Sequence, residues 1–310
     1  MHAEPVVPDW VVAKERGTMG MLRLMTLISL RLGRDLSRIV LYGIVAYYFV
    51  FAPTPRRHML KYLRHALQRD PTARDRYHLL LNFASTIHDR IYLLNDEFHL
   101  FDVAIEGLDV IEAHINRDQG VLLMGAHMGS FEVIRALGIQ RPGLTIAMAM
   151  YEDNARKISS MLSAINPQLT PDIISLGNVD SMLQIQSRLN NGACVGVLSD
   201  RSISTDSLQK VTFLGETAWL PTGAMRAAAI LRRPVIFMAG LYLGTNRYHV
   251  VFHELADFTK ISVNRADAIR AAIESYAKLL ELQCQIDPYN WFNFFDFWRE
   301  PDHARNITSR

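Results

Sequence analysis

A chain of 310 residues gives room for one large domain, or one domain with an appendage, and for a substantial buried core. Its 33 Lys or Arg against 31 Asp or Glu leave a net charge of +2, which argues for neither a nucleic-acid binder nor an acidic solvating protein. A hydrophobic share of 49% and a mean hydropathy of +0.05 exclude a disordered or collagen-like chain and fall short of a multi-span membrane protein.

The first part of the chain is basic. Residues 1–76 carry 13 Lys or Arg and six Asp or Glu, an excess of +7. Met19 to Leu32 repeats Leu and Met at helical spacing, with Arg23 and Arg31 interleaved. Ile39 to Pro55 is uncharged and rich in aromatics, but its 17 residues are fewer than the roughly 20 a helix needs to cross a bilayer. Two readings stand here. One is a pair of buried helices of a soluble protein. The other is a helical hairpin lying in, or dipping into, the cytoplasmic face of a membrane, with Arg and Tyr at headgroup level. Residues 1–76 are therefore expected to form a basic, apolar helical membrane-attachment region, and residues 77–310 an α/β domain. A cleaved secretory signal is not expected, because Glu4 and Asp9 precede any apolar core.

Past residue 76 the texture changes. His78–Leu94 has helical periodicity. Short apolar runs at Gly120–Gly125, Thr145–Met150, Ala193–Leu198 and Pro234–Ala239 read as buried strands. Between them lie helical patterns at Phe131–Leu137, Asn154–Ala164, Val179–Leu189 and Gly223–Leu231. Tyr248–Phe252 alternates and predicts a strand pairing antiparallel near an edge, and Ala266–Leu282 predicts a last amphipathic helix. The expected fold class is α/β, a mostly parallel sheet with helices on both faces, preceded by an N-terminal membrane-associated helical segment. Cys194 and Cys284 stand far apart and read as unpaired core thiols.

Several familiar motifs are absent: G-x-S-x-G, the P-loop, G-x-G-x-x-G and H-E-x-x-H. The informative segment is Gly125-Ala-His127-Met-Gly129-Ser130-Phe-Glu132. It places His127 in a turn at the carboxyl end of a strand, where open α/β sheets bind ligands. On one continuous helix, His127 and Glu132 would point about 140° apart. With His127 in the turn before the helix, Glu132 can reach back, orient the ring and leave the other nitrogen to accept a proton. The competing reading is a backbone-satisfied histidine and a glutamate that merely favours a helix N-terminus.

The string H-x-x-x-x-E after an apolar strand resembles the motif of the lipid A biosynthesis (lauroyl/myristoyl) acyltransferases, within the wider lysophospholipid-acyltransferase-like superfamily. The likeness continues in order through Trp10 with Glu15-Arg16-Gly17, Glu106-Gly107, Tyr151 and Asn154, and Gly196-Val-Leu-Ser-Asp200. It closes with Phe213-Leu-Gly215 and Pro221-Thr222-Gly223. The departures matter too. The family's arginine after the second-strand Tyr is Glu152 here, its Asp-Gln is Asp200-Arg201, and its basic tryptophan segment is replaced by the aromatic Pro288–Trp298. The sequence is most similar to a stand-alone branch of predicted bacterial acyltransferases.

The resemblance implies a membrane-associated O-acyltransferase on the cytoplasmic face of a bacterial inner membrane. The donor would be an acyl-carrier-protein or acyl-CoA thioester, and the acceptor a hydroxyl of a lipid or glycolipid; neither cofactor, metal nor nucleic acid is expected. His127 and Glu132 are the expected catalytic pair, with backbone N–H groups of the His127–Ser130 turn stabilising the oxyanion. Tyr151, Asn154, Ser130, Asp200 and Arg201 are the expected substrate contacts, although Asp200 and Arg201 also read as a plain ion pair. The aromatic tail either closes the core or lines an acyl groove. An acyl thioesterase and a non-enzymatic lipid-binding protein remain as alternatives.

Overall fold

The computed structural model describes residues 19–51, 53–115, 120–140, 144–168, 172–177, 179–201, 208–260 and 264–300. Trp10 and Glu15-Arg16-Gly17 of the resemblance lie outside the described residues. The strands are β1 (Asp102–Glu106), β2 (Leu122–Gly125), β3 (Ile146–Tyr151), β4 (Ile173–Leu176), β5 (Cys194–Leu198), β6 (Leu208–Phe213), β7 (Glu216–Pro221), β8 (Pro234–Tyr242) and β9 (Arg247–Asp257). Seven of them form one sheet in the order β1-β9-β8-β2-β5-β3-β4, while β6 and β7 make a separate hairpin. Every pairing in the large sheet is parallel except β8 with β9. The mostly parallel α/β reading holds, and so does the expectation that Tyr248–Phe252 pairs antiparallel next to an edge.

Side chains along the central strands alternate between two cores. Leu122, Met124, Val235 and Phe237 face one, with Val195 beside them. Leu123, Ile236, Met238 and Cys194 face the other. Both faces are covered, which is why β2 and β8 are buried at every position and read as continuous apolar runs. Helices α8 (Gly223–Leu231) and α9 (Arg265–Ile286) supply Met225, Ile273, Tyr276 and Leu280 to the first core. Helices α5 (Phe131–Gln140) and α6 (Glu152–Ile165) supply Val133, Leu137, Leu162 and Ile165 to the second. Cys194 and Cys284 are unpaired and buried in these cores, and burial pushes the Cys194 thiol up to about 12.

At the N-terminal side, the two apolar stretches form one element, α1 (Met19–Phe51), broken where Gly33 takes a φ of +79°. Helices α2 (Pro53–Leu67) and α3 (Ala73–Leu93) follow. Helix α3 begins five residues before the apolar periodicity, because Thr72 and Asp75 close a capping box around its first turn. Helix α1 is polar on the inside. Arg34 gives two hydrogen bonds of 2.8 and 2.9 Å to the buried Asp89 carboxylate, which also accepts from Tyr248 Oη at 2.9 Å. Ser37 Oγ lies 2.7 Å from His88 Nε2, and Arg38 Nη2 donates to Tyr242 Oη at 2.9 Å. Its outer side is apolar: Leu24, Leu27, Leu36, Ile39, Val50 and Phe51 are each more than half exposed.

Candidate active site

Strand β2 ends at Gly125, and the chain turns through Ala126–Ser130 before α5 begins. The turn is held from two directions. Ser130 N donates to Gly240 O of β8 at 2.7 Å, and Gly129 N donates to Asn290 O at 2.9 Å. Phe292 N donates back to His127 O at 2.8 Å, so residues 290–292 run antiparallel to the turn and meet it in an isolated Met128–Trp291 bridge. The Asn290 side chain in turn bonds the backbone of Tyr242 in both directions, at 2.8 and 3.1 Å. Gly129 has φ +60°, and a Cβ there would lie 1.9 Å from Gly240 O; only glycine fits this approach.

His127 Nδ1 lies 2.8 Å from Asp200 Oδ1, and the His127 backbone N–H donates to Asp200 Oδ2 at 3.2 Å. Asp200 follows β5, the strand beside β2, and Ser199 N donates to Gly125 O at 2.9 Å to hold the two strand ends together. The indole Nε1 of Trp291 donates to Asp200 Oδ2 at 3.0 Å. Burial by itself would push the Asp200 carboxyl up, but the neighbouring His127, Arg201 and Trp291 outweigh it and hold the group well below the usual carboxylate range. Burial pushes His127 below its ordinary value, reinforced by Arg201 and opposed by Asp200. At neutral pH the pair is thus a neutral imidazole on an ionised carboxylate, with the proton on Nδ1. The side chain of His127 is 37% exposed, and Nε2 is the ring nitrogen left for a substrate.

The expected reach of Glu132 back to His127 is not what the structure shows. Glu132 is buried, with Oε1 in an ion pair 2.8 Å from Arg90 Nε of α3, and Ser130 Oγ is a long 3.5 Å from Oε2. The helix start turns the glutamate toward α3, away from the histidine ring. The expected oxyanion site in the turn also fails, since the N–H groups of His127, Met128, Gly129 and Ser130 are all spent on protein acceptors. Arg201 is not a plain surface ion pair. Its Nη2 donates to Phe292 O at 2.8 Å, its guanidinium lies over the Phe295 ring, and its Nε has no hydrogen-bond partner among the described residues.

Tyr151 ends β3 and precedes α6, with Asn154 in the first turn of that helix. They sit at the same end of the sheet as His127 but two strands away, and neither hydrogen-bonds His127 or Asp200 among the described residues. The aromatic tail closes the core: Trp291, Phe292, Phe297 and Trp298 are buried, with Trp291 packed edge-on to Tyr62 and Phe213. The sequence left Trp291 without a polar role; only its place beside Asp200 reveals one.

A buried-carboxylate/histidine pair in a strand-end turn, on a mostly parallel sheet, is an arrangement able to accept a proton at Nε2. A family model described as bacterial lipid A biosynthesis acyltransferase matches residues 83–300. The chain belongs to that family and is an acyltransferase that transfers acyl groups to a lipid. Among solved structures it is similar to the 1-acyl-sn-glycerophosphate (LPA) acyltransferase PlsC from Thermotoga maritima, at 18% identity and a TM-score of 0.39, covering 86% of this chain and 98% of that one. No curated protein matches it significantly.

Proposed function

We propose that the protein moves a fatty acyl chain from an acyl-carrier-protein or acyl-CoA thioester to a hydroxyl of a membrane lipid or glycolipid, with His127 as general base and Asp200 as its orienting partner. The observation that carries this reading is the 2.8 Å contact of His127 Nδ1 with the buried Asp200 carboxylate. His127 Nε2 takes the proton of the acceptor hydroxyl as its oxygen attacks the thioester carbonyl carbon. The tetrahedral intermediate collapses, the C–S bond breaks, and the leaving thiolate recovers the proton from Nε2. The thiolate leaves readily, so no protein nucleophile is required; a positioned base supplies roughly 10²–10⁴-fold. With the turn amides occupied, we assign the developing oxyanion to the Arg201 guanidinium.

The membrane part of the proposal rests on α1. Its polar side is tied to α3, to Tyr242 of β8 and to Thr245 of the β8–β9 turn, its apolar side is exposed, and residues 1–76 carry the +7 excess. No single helix among the described residues is long and apolar enough to cross a bilayer, but Arg23–Phe51 with Arg56–Leu67, bent by 100°, passes together. The exposed apolar side and the bent pair support a shallow seat on a membrane, which we place on the cytoplasmic face of a bacterial inner membrane. Glu152 is exposed at the start of α6 and would repel a phosphate there, which favours a neutral or singly charged hydroxylated acceptor over a bisphosphorylated one.

Mass spectrometry of lipid products from the purified full-length protein tests the reading, with acyl-carrier-protein and CoA thioesters offered against phosphorylated and neutral glycolipid acceptors. An acylated lipid that disappears in His127→Ala is expected. Full turnover in His127→Ala would overturn the mechanism, and a clear preference for the bisphosphorylated acceptor would overturn the argument from Glu152.

A further inference from the structure

Where α1, α3 and the β8–β9 turn meet, a cavity of about 300 Å³ opens beside the segment that braces the catalytic turn. Helix α1 contributes Arg38 and, one turn on, Tyr42; α3 contributes His78, Leu81 and Asn82. Tyr242, at the carboxyl end of β8, and Tyr289 close the far side. Strand β8 lies beside β2 and runs parallel to it, so this is also the end of the sheet that carries His127. The two places are linked through Asn290, which follows Tyr289, bonds the Tyr242 backbone and accepts the Gly129 N–H.

The chemistry of the lining is one-sided. No Asp or Glu lines the cavity. The Tyr289 hydroxyl is turned away and donates to Asp75 at 2.6 Å, leaving its ring to the wall. Arg38 uses one N–H on Thr245 O at 3.1 Å, one on Tyr242 Oη at 2.9 Å and a further contact on the Tyr42 hydroxyl, with Asp89 acting on it from outside the lining, which still leaves part of a five-donor guanidinium unspent. Among the described residues His78 meets only the edge of the Tyr289 ring, and neither it nor Asn82 has a hydrogen-bond partner. A fixed cation, an imidazole and an amide thus converge with open donors on a space that contains no negative charge. The mouth is amphiphilic: Tyr42 is 45% exposed and Ile39 beside it 66%, on the outward apolar face of α1.

We propose that this cavity binds the phosphate headgroup of a lipid, held by Arg38, His78 and Asn82, with its alkyl chain along the exposed face of α1. One guanidinium with an imidazole and an amide suits a single phosphate better than two. The ligand is either the acceptor's own headgroup or that of a neighbouring membrane lipid. The inference rests on the transferase reading only for the acceptor assignment; binding itself needs no turnover.

The test is calorimetric titration of the full-length protein in neutral maltoside micelles with dodecyl phosphate, inorganic phosphate and neutral 1-monododecanoylglycerol. Dodecyl phosphate is expected to bind saturably and at least about tenfold more tightly than either of the others. Arg38→Gln should weaken it by about tenfold or more, and His127→Ala should leave it intact. Because Arg38 also braces Tyr242, Leu81→Trp serves as a second variant that fills the cavity without changing charge, and it too should abolish binding. Unchanged affinity in Leu81→Trp, or equal affinity for the neutral amphiphile, would overturn the site; equal affinity for inorganic phosphate would overturn its assignment to a lipid. Competition of dodecyl phosphate against a phosphate-bearing acceptor in the acylation assay identifies the headgroup as the acceptor's, and non-competitive behaviour identifies it as a neighbour's. If no lipid is ever acylated but binding and its loss in the variants persist, the cavity stands and the transferase reading falls.

Discussion

Asp200→Asn separates the dyad reading from every alternative. The substitution keeps the shape of a side chain that is fully buried and bonded by His127 Nδ1, His127 N and Trp291 Nε1. It removes the charge and offers an amide N–H where Nδ1–H needs an acceptor, which favours the tautomer with its proton on Nε2, the nitrogen that should be the base. The loss expected is that of a positioned general base, about 10²–10⁴-fold in kcat/KM, or about 3–5 kcal/mol of transition-state stabilisation. A second readout is the acid limb of the pH–rate profile. Asp200 raises the His127 pKa against the downward push of burial, so its neutralisation lowers that pKa further and moves the limb to lower pH. The assay is steady-state acyl transfer between pH 4.5 and 8.5, with folding checked by thermal melting. Wild-type turnover, or a reduced rate whose acid limb has not moved, would refute the assignment of Asp200 as the partner of the histidine.

The same carboxylate predicts a stability effect. Its folded pKa lies below the ordinary value of about 3.9, so its contribution is complete above that pH and is lost as the pH falls through the folded value; the melting-temperature gap between wild type and Asp200→Asn should narrow below about pH 4. Glu132→Gln should leave the acid limb where it is and instead destabilise by up to about 3 kcal/mol, because the Arg90 guanidinium keeps its charge in a nearly buried site; denaturant unfolding measures it, and a shifted limb would restore the glutamate to the dyad. In Gly240→Ala the new Cβ would stand 2.4 Å from Ser130 O, so a melting shift worth about 1–3 kcal/mol and a loss of activity should appear together. Leu36→Asp, Ile39→Asp and Val50→Asp combined remove three exposed apolar side chains from α1, each worth up to about 1.5–3 kcal/mol when buried, and should release the protein from liposomes in a sedimentation assay.

The parts of the fold that could be read from the sequence are those whose surroundings repeat along the chain. Residues 122–125, 146–151, 194–198 and 234–242 are buried on both faces, so they stand out as apolar runs whichever strands lie beside them. Strand β4 is not legible because it is four residues long at the sheet edge and only Ile174 of Ile173–Leu176 is fully buried. Strand β1 is not legible because none of its five positions is fully buried, so its alternation carries little apolar contrast. The β6–β7 hairpin carries local signals, its alternation and the Leu214-Gly215 turn, and lies outside the run of buried strands. In the site, His127 was legible from its strand–turn–helix context. Its partner was not, because the nearness of Asp200 depends on β5 lying beside β2, and Ala193–Leu198 says nothing of which neighbour it will choose. The reach of Glu132 failed for the same reason: Arg90 comes from a helix 42 residues earlier, and only the packed structure brings it to the glutamate.

The segment 290–292 that braces the His127 turn comes after all nine strands of the described fold in chain order. A growing polypeptide therefore presents α1 with its outward apolar face first, then the nine strands, and acquires Asn290, Trp291 and Phe292 after them. Until they arrive, Asp200 lacks its indole donor and Gly129 lacks an acceptor for its N–H. A chain cut before Asn290 would keep the β2–β5 pairing that sets Asp200 beside His127 but lose the indole and backbone that fix both, so the proposed mechanism makes such a chain a poor catalyst.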